Sequence, residues 1–157
     1  DPSGLVHSQA LQSADGAFRV TLNATDARET LSARFLEQGL GGGFQHVALT
    51  TDDIFATAQA LHDGGAAMLE IPGNYYDDLA ARFGFDDAML ARMASLGILY
   101  DEDANGDGFW QCYSRAFDKL FFFEFVQRDG AYAGYGAPNA GVRLTAQNRF
   151  REAATVD

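Results

Sequence analysis

Two places in this 157-residue sequence hold enough donor atoms to suggest a metal ion, and they imply different chemistry. The first is "DEDANGDG", residues 101–108. Asp101, Asp103, Asn105 and Asp107 offer oxygen at alternating positions with Gly106 at a sharp turn, as at the start of a calcium-binding loop. Such a loop needs a bidentate Glu at its twelfth position and a helix on each side. Here the twelfth residue is Cys112, "FWQCY" follows and "ILY" precedes, and both flanks are β-prone. The stretch is expected to be a hairpin turn whose acidic side chains face solvent.

The second place combines His46 with Glu124. His46 lies in "FQHVALTT", where alternation puts Phe44, His46, Ala48 and Thr50 on one face of a strand and Gln45, Val47 and Leu49 on the other. Glu124 sits among phenylalanines in "KLFFFEFVQ", sharing a face with Phe122 and Val126. An unpaired carboxylate there would be costly to bury, so it requires a metal, a basic partner or a proton. The residue pattern leaves both outcomes open: a core histidine and a structural ion pair, or two ligands of a two-His, one-carboxylate triad. That triad suits Fe(II) and leaves positions open for oxygen and substrate. His62 ends a helical stretch beside Asp63, where a histidine favours the helix dipole, and His7 lies in the first strand. Neither is a convincing third ligand, and two ligands alone would bind iron weakly.

The elements that would position these residues follow from pattern. "SQALQSADGAFRVTLN" reads as a hairpin around Asp15-Gly16, and "ARETLSARFLEQGLGGG" as a short helix closed by glycines. "FQHVALTT" is a strand. "DIFATAQALHDGG" is a helix with apolar residues at three- and four-residue spacing, capped by Asp52 or Thr51 and ended by Gly64-Gly65. "AAMLEI" is expected as a strand stopped by Pro72-Gly73. Two helical segments, "YYDDLAARF" and "DDAMLARMASLG", then precede strands "ILYDED", "FWQCYS" and "KLFFFEFVQRDG". The tail starts as a glycine-rich loop and finishes as a short helix. One helix against a largely antiparallel sheet is α+β.

The bulk numbers narrow the partners. Eleven Lys and Arg against 22 Asp and Glu give a net charge of −11, which argues against nucleic acid or an anionic membrane. No 18-residue apolar run exists, so no membrane span is expected. The single cysteine, Cys112, excludes an internal disulfide framework and fits a reducing, cytoplasmic setting. The opening "DPSGLVHSQAL" has neither an initiator Met nor a signal-peptide pattern and reads as a cut into a longer protein.

The motifs "GGGFQHVALTTDDIFATAQAL", "LEIPGNYYDDL", "LGILYDED", "FWQCYS" and "FFFEFVQRDGAYAGYGAPN" together resemble the C-terminal domain of 4-hydroxyphenylpyruvate dioxygenase. That family belongs to the vicinal-oxygen-chelate (glyoxalase/bleomycin-resistance-like) superfamily. The resemblance runs from about Leu5 to Asn139 and implies one complete βαβββ module after the trailing hairpin of a preceding one. The expected divisions are residues 1–43 for the hairpin and short helix, 44–130 for the module with a helical insertion at 75–97, and 131–157 for the loop and tail. It implies His46 and Glu124 as metal ligands, for Fe(II) or another divalent ion such as Mg, Mn or Co. The family's remaining histidine belongs to the preceding module, so a third protein ligand is expected to be missing from this chain. It implies Ser8, Asn23, Gln45 and Gln111 as polar pocket residues and Tyr113, Phe122 and Tyr135 as its aromatic wall. Strict alternation, however, turns Gln45 away from His46.

Two departures bear on substrate. Leu31 stands where the family has a glutamine, and Ala140 where it has an aromatic, changes that count against homogentisate formation from 4-hydroxyphenylpyruvate. "DDIFATAQAL" and "YAGYGAPNAGVRLTAQNRF" are also similar to the C-terminal domain of fused bacterial 3-dehydroshikimate dehydratases, whose catalytic barrel lies outside that domain. The first expectation is thus a dioxygenase-like domain performing oxidative decarboxylation and ring hydroxylation of an aromatic 2-oxo acid in an intact parent, with the fragment itself inactive. The alternative is an accessory domain of a fused dehydratase. Either implies a small aromatic or cyclic carboxylic acid as partner, with a homo-oligomer as a further possibility.

Overall fold

The computed structural model describes residues 6–25, 31–39, 41–117 and 121–153, in two compact units, 1–45 and 46–157. In the first unit β1 (Val6–Gln12) pairs antiparallel with β2 (Arg19–Thr25), from Val6 opposite Thr25 to Gln12 opposite Arg19. The turn between them contains Asp15-Gly16, as the sequence predicts. Gly16 takes φ 72°, a conformation that costs glycine nothing. Asp15 accepts the Ser13 hydroxyl at 2.6 Å and the Ala17 N–H at 3.1 Å. The same unit contains α1 (Leu31–Gln38).

The second unit is built on β3 (His46–Thr50), β4 (Leu99–Glu102), β5 (Gly108–Tyr113) and β6 (Phe122–Arg128), in sheet order β3-β6-β5-β4. β3 runs parallel to β6, while β6 with β5 and β5 with β4 are antiparallel. With α2 (Ile54–Asp63) following β3, this is the βαβββ order expected from sequence. The helices α3 (Asn74–Phe83) and α4 (Asp87–Leu96) form the insertion. After β6 come a 3-10 turn (Ala137–Asn139) and α5 (Ala140–Ala153). At 14 residues, α5 is longer than the short closing helix expected. Among the described residues, no helix is long and apolar enough to cross a membrane.

Two local expectations need correction. "AAMLEI" is not a strand: Met68 makes a single antiparallel bridge to Ser114, flanked by Leu69 N–H donating to Tyr113 O and Arg115 N–H donating to Ala67 O. The place beside β5 is shared. β4 pairs with residues 108–111, which leaves only the far end of β5 for Met68. The α2 cap is Asp53, not Asp52 or Thr51. Asp53 is extended at φ −142°, and its carboxylate accepts the Ala56 N–H, so the helix starts one residue later. Thr51 instead accepts the Asp53 N–H at 3.2 Å.

Register divides the sheet into two faces. Tyr100, Trp110, Phe125 and Gln127 point one way. Trp110 packs against Phe55 of α2, and Gln127 accepts the Ile54 N–H at 2.8 Å. Leu99, Asp101, Gln111, Tyr113, Phe122 and Glu124 point the other way, toward the 3-10 turn and α5. The main core joins Ile54, Leu79, Met93, Ile98 and Leu99, all fully buried.

Gly97 closes α4 at φ 64°, and a Cβ there would lie 2.7 Å from the Leu69 carbonyl oxygen. Gly84 closes α3 at φ 69° with open space around it. Gly84→Ala should therefore cost only the left-handed strain, about 1–2 kcal/mol. Gly97→Ala should cost clearly more, because backbone already bonded to β5 must move. Urea unfolding of both variants checks this, and equal losses would contradict the packing described.

Candidate functional site

Glu124 lies at the centre of the α5-side face. Its residue is 8% exposed, flanked by Ala48 on β3 and Tyr113 on β5. Oε1 accepts two bonds, from Gln111 Nε2 at 2.8 Å and from the Tyr113 hydroxyl at 3.1 Å. Oε2 lies 3.5 Å from His46 Nε2. One oxygen is thus held by the sheet while the other is directed at the imidazole. The ion pair to Lys or Arg that the sequence left open is absent among the described residues.

The groups holding Glu124 are held in turn. Gln111 is 1% exposed; its Nε2 also contacts the Tyr113 hydroxyl at 2.8 Å, and its Oε1 accepts from Asn139 Nδ2 at 2.9 Å. Asn139, in the 3-10 turn, donates as well to the Tyr100 carbonyl at 3.1 Å. The Tyr75 hydroxyl lies 3.1 Å from both Asn139 Oδ1 and the Tyr100 carbonyl, and accepts the Tyr100 N–H at 2.9 Å. Each buried polar group therefore has a partner, the condition under which such a network orders a site instead of destabilising it.

Close approach of backbone completes the arrangement. Gly136, at φ 60°, lies so near Gln111 that a Cβ would meet the amide at 2.4–2.6 Å. Its N–H donates to the Tyr132 hydroxyl at 3.1 Å, and that hydroxyl donates to Asp101 at 2.6 Å. Asp101 thus departs from the expectation of a solvated acidic turn. It is 6% exposed, because its place in β4 turns it to the same face as Gln111. The rest of the acidic loop behaves as a turn: Asp103 accepts the N–H groups of Asn105 and Asp107.

Electrostatics sets the states of the imidazole and of the Tyr113 phenol. Burial pushes the His46 pKa down, outweighing the pull of Glu124 in the other direction, and Arg143 adds to the lowering. The imidazole is accordingly neutral near pH 7, as a metal ligand must be. Tyr113 is pushed well above the ordinary phenol value by burial and then by Glu124, so it remains a proton donor. His46 stacks on Phe122, with ring centroids 5.0 Å apart and planes 8° from parallel.

The pair fits a shared cation. Two donors bound at about 2.1 Å and at right angles sit about 3 Å apart, and the observed 3.5 Å needs only a wider angle or a small rotation. Among the described residues, no three of His, Cys, Asp and Glu come together as a metal-binding group.

The structure places the other sequence candidates differently. Gln111, Tyr113 and Phe122 join His46 and Glu124 on one face. Ser8 and Asn23 oppose each other in the β1–β2 ladder, and Ser8 Oγ donates to Asn23 Oδ1 at 2.7 Å; both lie in the first unit, as does Gln45. Tyr135 is 44% exposed, in the loop before Gly136. The Leu31 side chain lies outside what is described. Sequence reasoning missed Asn139, Tyr75 and Arg143. Asn139 stands in "GAPN", where Pro138 favours a turn that aims the next residue inward, but nothing local marks Tyr75 or Arg143.

Comparison with known proteins extends this picture. The family model described as "Glyoxalase/Bleomycin resistance protein/Dioxygenase superfamily" matches residues 2–105. A 3-dehydroshikimate dehydratase of Pseudomonas putida is 47% identical over 98% of this chain and 24% of its own length. A 4-hydroxyphenylpyruvate dioxygenase of Pseudomonas aeruginosa is 32% identical over 84% of this chain and 37% of its own. A solved xylose isomerase-like TIM barrel/4-hydroxyphenylpyruvate dioxygenase fusion protein superposes with a TM-score of 0.75 at 41% identity, over 90% of this chain and 23% of that one. The chain thus spans about a quarter of the dehydratase relative it matches. By its βαβββ sheet and by the family match together, the chain belongs to the glyoxalase/bleomycin resistance protein/dioxygenase superfamily.

Proposed function

We propose that this chain is a 4-hydroxyphenylpyruvate dioxygenase-like domain that holds a divalent cation, Fe(II) by preference, between His46 and Glu124 and binds a small aromatic or cyclic carboxylic acid beside it. The observation that carries this is the direction of the Glu124 carboxylate: Oε1 is occupied by Gln111 and Tyr113, and Oε2 is aimed at His46 Nε2. One carboxylate oxygen held by the sheet and the other facing an imidazole nitrogen is an arrangement that two ligands of one cation can take.

The cation would supply Lewis acidity toward the oxygens of a 2-oxo acid and, as iron, the electrons for oxygen chemistry. The protein's own groups supply orientation. Gln111 and Tyr113 hold the carboxylate rotamer, Phe122 supports the imidazole plane, and Asn139 with Gly136 holds Gln111 in place. Such outer partners matter because they fix ligand direction before the metal arrives. Ser8, Asn23, Gln45 and Tyr135 are further pocket candidates by resemblance to the dioxygenase family.

Similarity to the 3-dehydroshikimate dehydratase over 98% of this chain favours a second reading, that of an accessory C-terminal domain in a fused dehydratase. The two are separated by assaying the intact parent, loaded with Fe(II), on 4-hydroxyphenylpyruvate and on 3-dehydroshikimate. Only two protein donors are assigned here, so the chain by itself should show no oxygen uptake with 4-hydroxyphenylpyruvate above that of the His46→Ala variant. Turnover matching the intact parent would overturn the two-ligand assignment.

Metal binding is testable directly. Titration with Mn(II) or Co(II), followed by calorimetry, should give binding that His46→Ala and Glu124→Ala abolish. Gln111→Leu should weaken it about 10–100-fold, the usual effect of losing a group that orients a ligand. Unchanged affinity in Glu124→Ala would remove the site from consideration.

The lowered pKa of His46 also sets a pH dependence. The unfolded chain takes up this proton near the ordinary histidine value of 6.5, and the folded chain only at lower pH. The unfolded state then binds more protons across that window, so this group's contribution to stability falls as pH drops below about 6.5. The NMR titration midpoint of His46 should lie below 6.5, and Glu124→Gln should move it lower still, because Glu124 raises it.

A further inference from the structure

The sheet-facing stripe of α5 carries an arginine where packing would ask for an apolar residue. Asn139, Val142, Arg143 and Ala146 follow the three- and four-residue spacing of one helix face. Asn139 bonds Gln111, Val142 packs against the core, and Ala146 is 1% exposed. Arg143 extends over the same aromatic surface: its Cζ lies 5.1 Å from the Phe122 ring centroid and 5.8 Å from that of Tyr113. Phe122 is the ring on which His46 stacks. Arg143 and His46 thus both contact the Phe122 ring, in a chain whose net charge is −11.

Among the described residues, Arg143 has no carboxylate partner, although 22 acidic residues are present in the chain. Within the described residues its hydrogen bond runs from Nη1 to the neutral Gln147 Oε1, at 2.9 Å. That bond fixes one side of the guanidinium and leaves other N–H groups of the fork for a second acceptor. A planar fork, stacked on aromatic rings and kept from internal carboxylates, has the geometry that recognises an external carboxylate.

We propose that Arg143 determines specificity by pairing with a carboxylate of the small ring acid bound beside His46 and Glu124. The substrate class is thereby narrowed to anionic acids, and their neutral amides or esters are discriminated against. The proposal rests on the site assignment above, but it concerns a different group and has a different readout.

The test compares benzoate with benzamide, which share ring and shape and differ in charge. Calorimetric or NMR titration of the chain with Mn(II) bound, and again after treatment with a chelator, should show benzoate binding about tenfold or more tighter than benzamide. In the chelated sample Arg143→Gln should reduce that ratio to near one, and Mn(II) affinity of the variant should stay within about twofold. Arg143→Lys should restore part of it, since a point charge replaces the fork without its bidentate geometry. A preference for benzoate that survives in chelated Arg143→Gln would overturn the proposal. So would a parallel loss of Mn(II) affinity or of the urea midpoint in that variant, which would make Arg143 a structural residue. Loss of Mn(II) binding in the unaltered chain, with the benzoate preference intact in the chelated sample, would sink the metal assignment and leave Arg143 standing.

Discussion

A carboxylate buried in the middle of a β-sheet must be held from several sides, and much of this chain's second unit is arranged around that requirement. Glu124 shares a face with Phe122 and Val126, both 2% exposed. Left unpaired there, it would cost several kcal/mol. The two bonds it receives come from β5, but neither donor would be rigid by itself. Gln111 is oriented by Asn139, Asn139 by Tyr75 and the Tyr100 carbonyl, and the loop carrying Gly136 closes over the amide. Strand, insertion helix, loop and 3-10 turn thereby meet in one hydrogen-bonded chain.

That arrangement explains why the elements after β6 belong with the sheet instead of trailing from it. The loop is anchored by Tyr132, whose hydroxyl bridges Asp101 and the Gly136 N–H and whose ring stacks on Phe109 at 4.8 Å. Arg128 covers the Phe109 ring at 4.5 Å, adding a cation–π contact of modest strength. With Gly136 placed, the 3-10 turn directs Asn139 inward and α5 lays Arg143 across Phe122 and Tyr113. Apolar packing sets the frame, while the polar chain fixes orientation within it.

The resulting face has an uneven distribution of chemistry. A neutral imidazole and an ionisable carboxylate sit together at one end of a buried amide network, with a guanidinium over the adjoining aromatic rings. Superfamily membership accounts for the sheet on which they stand. The superfamily fold alone does not say what is bound, because one scaffold supports many sites. The side chains on this face carry the functional argument.

Much of the frame was legible from the sequence, since hydrophobic periodicity and turn chemistry are local. The Asp15-Gly16 hairpin, the helix ended by Gly64-Gly65 and the alternation in "FFFEFVQ" follow from backbone preference and side-chain direction. His46 and Glu124 were visible as chemically unusual residues on strands. Their separation of 3.5 Å was not, because it depends on β3 pairing parallel to β6, a contact between residues 78 positions apart. The edge place that reduced "AAMLEI" to a bridge and the face that buried Asp101 were likewise decided by strand order. Tyr75, Asn139 and Arg143 were hidden for the same reason. The sequence by itself determined which segments could form strands and helices and which residues would be costly to bury. Only the tertiary structure decided which of them meet, because hydrogen-bond and charge partners are set by distance in space and not along the chain.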